Sequence, residues 1–189
     1  MNTSKDLVEE TISSKEIYKG DLLHVFKDEA RLPNGKSSTR EWIKHPGASA
    51  ILPVFDNGDV ALIKQFRYPV KQVFWEVPAG KIDPGEDPDN TVLREAEEET
   101  GIKCNQFDYL GYYTPCIGYS DEIIYLYIGW DLEVLEQQSD DDEFLIVERL
   151  PFTEAVSMGY EGHIPDGKTF STIMRGWHWW QQNEPFEIK

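Results

Sequence analysis

The sequence GKIDPGEDPDNTVLREAEEETGI at residues 80–102 decides how this chain is interpreted. Four glutamates fall within five positions of it, at Glu95 and at residues 97–99. Like charges three or four residues apart on a helix repel each other. Such a cluster therefore indicates that a positive charge sits on it, and hard divalent cations with oxygen ligands are the natural candidates.

Local signals predict a helix within this stretch. Asp87 suits the N-cap, and Pro88 suits the first helical position, where a missing N–H is not needed. Glu86 and Asp89 place negative charge near the positive end of the helix dipole. Gly101 follows the last turn and can adopt the left-handed conformation that ends a helix.

The spacing of the acidic residues predicts which of them share a face of this helix. Glu95 and Glu99 are four residues apart, and Glu98 lies three residues after Glu95, so these three side chains can line one face. Glu97 points away from them. Arg94 lies four residues before Glu98 and can orient a carboxylate.

The whole segment resembles a complete Nudix box, the signature of hydrolases that cleave nucleoside diphosphates linked to another group. Every specified position is filled, with Ala96 at a site that usually takes an aliphatic residue. A solvated acidic helix is the alternative, but it does not account for Gly80, Glu86, Arg94 and Gly101 at their fixed spacings. The resemblance implies an α/β/α sandwich and a metal-dependent hydrolase.

Composition excludes several other classes of protein. The 189 residues are most consistent with one globular domain, with room for a small appendage, and the net charge of −17 argues against nonspecific binding to nucleic acid or an anionic membrane. Neither a secretory signal nor an apolar run of membrane-spanning length is evident, and the two cysteines form no zinc pattern. We expect a soluble, cytoplasmic protein.

The hydrophobic pattern predicts an α+β fold in two parts. Residues 1–45 are expected to form a small antiparallel β unit, with Pro33-Asn34-Gly35 as a hairpin turn, and residues 46–189 the hydrolase domain. In the second part, residues 50–55 and 60–66 are expected to pair as a hairpin. Further strands are predicted at 107–113, 123–130 and 144–150, and helices at 151–158 and 169–182, giving a mixed sheet with helices on both faces.

Features outside the box resemble the ADP-ribose pyrophosphatase and nucleoside diphosphate sugar hydrolase branch. Their order along the chain is Arg40-Glu41, Gln65-Phe66-Arg67, WEVPAG at residues 75–80, Pro115 and GHIPDGKT at residues 162–169. The resemblance implies hydrolysis of ADP-ribose to AMP and ribose 5-phosphate. It also implies a homodimer in which the N-terminal strands contribute to the partner's site.

The same resemblance implies the roles of individual residues. Mg²⁺, with Mn²⁺ as a possible substitute, would be held by the Ala79 carbonyl, Glu95, Glu98 and Glu99. Glu86 would bind metal through water or hold Arg94 in place. The expected substrate contacts are Arg67 on the diphosphate, Arg40 and Glu41 near the base or proximal ribose, Glu122 on the distal sugar and Ile117 over that end.

The general base is expected on a later loop, SDDDE at residues 139–143. Glu143 matches best and Asp142 is second, while Glu98 could act as base from within the box. Taken alone, this acidic run is more typical of a solvated loop. Trp42 and Phe26 are equally consistent with base stacking and with ordinary strand packing.

Three alternative functions stay open at this level. The substrate could be GDP-mannose or another nucleotide hexose, since few pocket contacts would differ. It could be a dinucleoside polyphosphate, NADH or a nucleoside triphosphate, against which the surroundings of Arg67 and Pro115 argue. The chain could also be a nucleotide-sugar sensor without turnover, although such proteins usually lose box glutamates and this sequence has lost none.

Overall fold

The computed structural model describes residues 4–137 and 144–183. After a short 3-10 helix at Ser4–Leu7, the chain forms ten strands and three helices within these ranges. They are β1 (Glu10–Lys19), β2 (His24–Arg31), β3 (Ser37–Lys44), β4 (Ala48–Pro53), β5 (Asp59–Arg67), β6 (Gln72–Glu76), β7 (Ala79–Lys81), α1 (Pro88–Thr100), β8 (Ile102–Tyr113), β9 (Ile124–Val134), β10 (Leu145–Pro151), α2 (Phe152–Tyr160) and α3 (Gly167–Asn183). None of the described helices is both long and apolar enough to span a membrane.

The chain divides into two compact units. The first comprises the chain up to His45 together with Cys116–Glu122, and the second comprises Pro46–Pro115 and the chain from Ile123 onward. The domain division proposed from the sequence places residues 116–122 in the second part, whereas here they belong to the first. Their link to β3 is a backbone one, because Ile43 N donates to Tyr119 O at 2.8 Å and Asp121 N donates to Ile43 O at 3.2 Å.

The first unit is built on an antiparallel sheet in the order β1-β2-β3. The predicted turn between β2 and β3 is confirmed: Gly35 has φ +81°, and its N–H donates to Leu32 O at 2.8 Å. Phe26 and Trp42 face each other across the two strands with ring centroids 5.0 Å apart. Trp42 also donates from Nε1 to Asp28 at 2.9 Å, so both aromatic rings have packing partners within the sheet.

The second unit contains a mixed four-stranded sheet, in the order β7-β4-β9-β8, and an antiparallel sheet in the order β10-β5-β6. Strand β4 is buried along its whole length, which is typical of a strand covered on both faces. Ala50 and Leu52 join the core cluster that includes Ile173 of α3, whereas Ile51 joins the cluster that includes Val92 of α1. Because successive side chains alternate between faces, helices lie on both sides of this sheet, as the predicted α/β/α sandwich requires.

The predicted hairpin at residues 50–55 and 60–66 is wrong. Strand β4 pairs with β7 on one side and, in parallel, with β9 on the other, while β5 pairs with β10 and β6 in the second sheet. The single bridge between Val54 and Val60 joins the two segments at the turn. Both edges of β4 are taken by other strands, so the short turn redirects the chain between sheets. Strands β6 and β7 were not predicted.

Candidate active site

Helix α1 begins and ends where its sequence predicts. The Asp87 carboxylate accepts hydrogen bonds from the backbone N–H groups of Asp89 and Asn90, both at 3.0 Å, and Pro88 is the first helical residue. Gly101 ends the helix in the left-handed conformation at φ +66°. A Cβ at this glycine would lie 2.7 Å from Leu135 O, so both the conformation and the space require glycine. These caps fix the position of the glutamates between them.

Arg94 is the centre of a charged group that we call the box cluster: Glu86, Arg94, Glu95 and Glu98. Its guanidinium contacts both oxygens of Glu86, at 3.2 and 3.1 Å. The remaining nitrogen, Nη1, donates to Glu95 at 2.9 Å and to Glu98 at 2.8 Å. The arginine therefore orients three carboxylates at once, which extends the predicted pairing with Glu98.

The charges of the box cluster shift the ionisation of its members. Hydrogen bonds from Arg94 and then from Thr91, whose Oγ1 lies 2.7 Å from Glu86, lower the pKa of Glu86 to about 2. The Arg94 pKa is raised, first by its hydrogen bonds to Glu86 and further by the charge of Glu95 and the hydrogen bonds to Glu98 and Glu95. Glu86 is thus a fixed anion at neutral pH, as a residue that holds Arg94 in place should be.

Glu99 and Glu95 both reach the backbone at the start of the box. Glu99 is only 2% exposed, and its Oε2 accepts a hydrogen bond from Ala79 N at 2.8 Å. The Glu95 carboxylate lies against Gly80, where an added Cβ would collide with it. The absence of a side chain at Gly80 therefore leaves the space that the Glu95 carboxylate fills.

The chain passes from β6 into β7 at residues 77–80, which we call the bend, and the donor groups around this bend suit a hard divalent cation. Carboxylates of Glu95, Glu98 and Glu99 and the backbone carbonyl of Ala79 supply the oxygen ligands that such ions prefer. Within residues 4–137 and 144–183, no three acidic, histidine or cysteine side chains are already arranged as a ligand group. Glu95 and Glu98 instead engage Arg94, so a bound cation would share these carboxylates with the arginine.

A second charged group adjoins the same bend, and sequence reasoning singled out only Arg67 among its members. We call it the bend cluster: Arg67, Glu76, Asp166, Lys168 and Thr169. Arg67 donates to both oxygens of Glu76, at 2.7 and 2.6 Å, and Lys168 donates to Glu76 as well. Glu76 is 2% exposed. A charged residue inside the apolar run before the box was the available signal, while the GHIPDGKT segment carried no predicted role.

The bend cluster keeps its acids ionised in spite of burial. Desolvation acts to raise the pKa of Glu76, but the hydrogen bond from Arg67 and the charge of Lys168 outweigh it and leave that pKa lowered. The pKa of Asp166 is likewise lowered, since Lys168 and Thr169 outweigh its desolvation. The negative charge of Glu99 also contributes to raising the pKa of Arg67, so Arg67 lies within electrostatic range of the box glutamate that accepts from Ala79 N.

The other predicted substrate residues lie in the first unit. Arg40 pairs with Glu9, donating from Nε at 2.8 Å and from Nη2 at 2.5 Å, and Glu41 accepts from Lys27 at 3.2 Å. Ile117 is 82% exposed. Glu122 Oε1 lies 3.8 Å from Nδ1 of His45. Glu143 and Asp142, the predicted bases, lie outside the residues that the structure describes.

Two family models match the chain. The NUDIX domain matches residues 44–171, and the nucleoside diphosphate sugar hydrolase N-terminal domain matches residues 9–43. A solved structure titled as an ADP compounds hydrolase has a TM-score of 0.82 at 18% identity, covering 94% of this chain and 97% of its own. That likeness shows the fold, and it agrees with the sandwich described above.

Relatives of similar identity carry different names. The ADP-ribose pyrophosphatase of Bacillus subtilis is 38% identical over 171 residues, covering 89% of this chain and 92% of its own. The methanol dehydrogenase activator of Bacillus methanolicus is 39% identical over 167 residues, covering 87% and 90%. With Glu95 and Glu99 of the box gathered at residues 79–80 and a family model matching 128 of 189 residues (44 to 171), the chain belongs to the Nudix family and is a Nudix pyrophosphohydrolase.

Proposed function

We propose that this enzyme hydrolyses the pyrophosphate bond of a nucleoside diphosphate sugar, with Mg²⁺, and that its preferred reaction converts ADP-ribose to AMP and ribose 5-phosphate. One observation carries the proposal: two carboxylates, Glu95 and Glu99, converge on the Ala79–Gly80 backbone, while Arg67 pairs with Glu76 three residues before it. An oxygen-rich cation site beside a fixed guanidinium suits a diphosphate. The matched N-terminal domain and the B. subtilis relative support the choice of substrate class.

Each box residue has a role in this proposal. Glu95, Glu98, Glu99 and the Ala79 carbonyl hold the metal ion. Nudix hydrolases use a divalent metal, and Mg²⁺ or Mn²⁺ bound there would acidify water and neutralise charge growing on the phosphates. Glu86 and Arg94 keep the carboxylates oriented, since Arg94 already contacts three of them.

Glu143 is the proposed general base, with Asp142 as the second candidate. Glu98 is less suited to this role, because Arg94 donates to its carboxylate at 2.8 Å and that contact would have to break before the oxygen could accept a proton. If the base comes from a separate segment, Arg94 can keep its hydrogen bonds to the box carboxylates during the reaction. For this reason we favour Glu143 over Glu98 as the general base.

Arg40, Glu41, Ile117 and Glu122 are proposed to bind the base, ribose and distal sugar. We also propose that two copies assemble through their N-terminal units. Strand β1 supports this, because its residues are exposed and include large apolar side chains: Ile12 is 43%, Ile17 52% and Tyr18 57% exposed. Apolar side chains gathered on an exposed strand are typical of an interaction surface.

A product assay tests the reaction. The enzyme is incubated in ¹⁸O-labelled water with MgCl₂ and a panel containing ADP-ribose, ADP-glucose, GDP-mannose, NADH and ATP, and the products are separated by chromatography. We expect AMP and ribose 5-phosphate from ADP-ribose at the highest kcat/KM, and the label identifies the phosphorus that water attacks. If GDP-mannose were turned over faster than ADP-ribose, GDP-mannose would be the preferred substrate instead. Tight ADP-ribose binding without any turnover in Mg²⁺ or Mn²⁺ would favour the sensor.

A further inference from the structure

The segment Asp166–Thr169, at the start of α3, reaches the bend before the box. Lys168 is 11% exposed, and its ammonium donates to Glu76 and, at 2.8 Å, to Asp166. Asp166 also accepts from the Thr169 N–H at 3.1 Å and from the Thr169 hydroxyl at 2.5 Å. This largely buried lysine is therefore held between Glu76 and Asp166, the second of which is its neighbour in sequence.

Lys168 acts on Arg67 through the carboxylate that they share. Both side chains donate to Oε2 of Glu76, while Arg67 also donates to Oε1. Glu76 is buried between these two cations, so its carboxylate has little freedom to rotate. The orientation of the Arg67 guanidinium, whose side chain is 44% exposed, thus depends on where Lys168 holds Glu76.

The same segment fixes the bend by a second contact. Val77 N donates to the Thr169 hydroxyl at 3.0 Å, and this hydroxyl donates its own proton to Asp166. Two residues further on, Ala79 N donates to Glu99 of α1. The backbone from Val77 to Ala79 is therefore held from α3 at one end and from α1 at the other.

We propose that Lys168 is a positioning residue for the reaction: it holds Glu76, and through Glu76 it aims Arg67 at the diphosphate. This inference rests on the proposed function, because Arg67 is taken to bind the diphosphate. A lysine that served only the stability of the fold would lower the unfolding temperature when replaced and would leave kcat unchanged in the folded protein. Aiming a guanidinium at the reacting group instead affects the transition state.

The test is a double-mutant cycle with Lys168→Met, Arg67→Met and the double variant. We expect Lys168→Met to lower kcat on ADP-ribose by about 10- to 100-fold with a much smaller change in KM, and Lys168→Arg to restore part of it. In the Arg67→Met background, the Lys168→Met change should have almost no further effect. Equal effects of Lys168→Met in both backgrounds, or an unchanged kcat, would overturn the proposal.

Controls separate positioning from loss of fold. The unfolding temperature of each variant is determined by circular dichroism, and all rates are measured well below it. Lys103→Met is the matched control, because Lys103 lies in the same unit and pairs with Glu133 at 3.7 Å on the surface. Should Lys168→Met not fold, Thr169→Val removes the hydroxyl that receives Val77 N–H, and an unchanged kcat in that variant counts against the proposal.

The two proposals fail in different ways. If the wild type turns over no member of the substrate panel, the proposed function fails. The double-mutant cycle is then based on the affinity of each variant for ADP-ribose, measured by calorimetry. Weaker binding by Lys168→Met that disappears in the Arg67→Met background would still support positioning. Binding that Lys168→Met leaves unchanged, or an absence of binding in the wild type, would overturn the positioning role as well.

Discussion

The box cluster and the bend cluster both contain a member that contacts residues 77–80, and the two clusters are built in opposite ways. The members of the box cluster lie between residues 86 and 98, and Arg94 at its centre keeps 32% of its side chain exposed. The bend cluster joins residues up to 92 positions apart, and Glu76 at its centre is 2% exposed. A cluster made by one helix and the short segment before it appears in the sequence as a motif, whereas one made by three distant segments is apparent only in the folded structure.

The comparison implies different consequences of losing a charge in each place. In the box cluster, the glutamates are proposed to serve chemistry, and the arginine has several alternative partners. In the bend cluster, the Glu76 carboxylate is buried between Arg67 and Lys168. Activity should therefore be most sensitive in the first region and stability in the second.

The largest expected effect is on activity. Glu99→Gln and Glu95→Gln should each lower kcat by about 10³-fold in Mg²⁺, because each removes a charged ligand of the proposed metal site. The amide oxygen that Glu99→Gln introduces can still accept a hydrogen bond from Ala79 N, so the unfolding temperature should change little. Glu97→Gln is the matched control, since Glu97 is exposed on the same helix. Turnover near that of the wild type in both variants would refute the metal assignment.

The second effect is on stability. Glu76→Gln should lower the free energy of unfolding by about 3 kcal/mol, because it leaves Lys168 buried without its full charge partner. Urea denaturation measures this change. Glu148→Gln is the control: its carboxylate pairs with Lys64 at 2.9 Å with both side chains partly exposed, and its loss should change the unfolding free energy by less than about 1 kcal/mol. Equal losses in the two variants would remove the distinction between a buried and an exposed pair.

A smaller loss is expected in the box cluster. Glu86→Gln should lower the free energy of unfolding by about 1 kcal/mol at neutral pH, since Arg94 keeps Glu95 and Glu98 and is partly exposed. The same denaturation experiment compares it with Glu76→Gln. If Glu86→Gln lowered the free energy of unfolding more than Glu76→Gln does, the bend cluster would not be the more important of the two for stability.

The smallest effect is the pH dependence of that contribution. The pKa of Glu86 is about 2 in the folded protein against an ordinary value of 4.5. As pH falls, the unfolded chain takes up the proton first, so the stabilisation is complete above about pH 4.5 and is lost between about pH 4.5 and 2. Unfolding of wild type and Glu86→Gln from pH 7 downward should give curves that converge in this window. If the two curves stayed equally far apart at every pH, the pH dependence of stability in this window would not come from Glu86.

The sequence could predict features that depend on local signals, but it could not predict features that depend on pairing between distant segments. Both ends of α1 follow from Asp87, Pro88 and Gly101, because a helix cap depends on residues within one turn of it. The pairing partner of β4 could not be predicted in this way, because an apolar run shows that a strand is buried without showing which strand lies beside it. Lys168 resembled any helix-terminal lysine until the fold placed it against Glu76.

Strand β4 also determines the order in which this protein can assemble. Its parallel partner is β9, whose Ile124 pairs with Ala48, and Glu76 pairs with a lysine 92 positions later. Contacts so distant along the chain close slowly, and on the ribosome β4 emerges long before β9 or that lysine. Until then it is an apolar strand whose β9 edge is open, prone to pair with other chains. Nascent and truncated chains should therefore depend on chaperones up to the synthesis of α3, and catalytic competence should be among the last properties acquired.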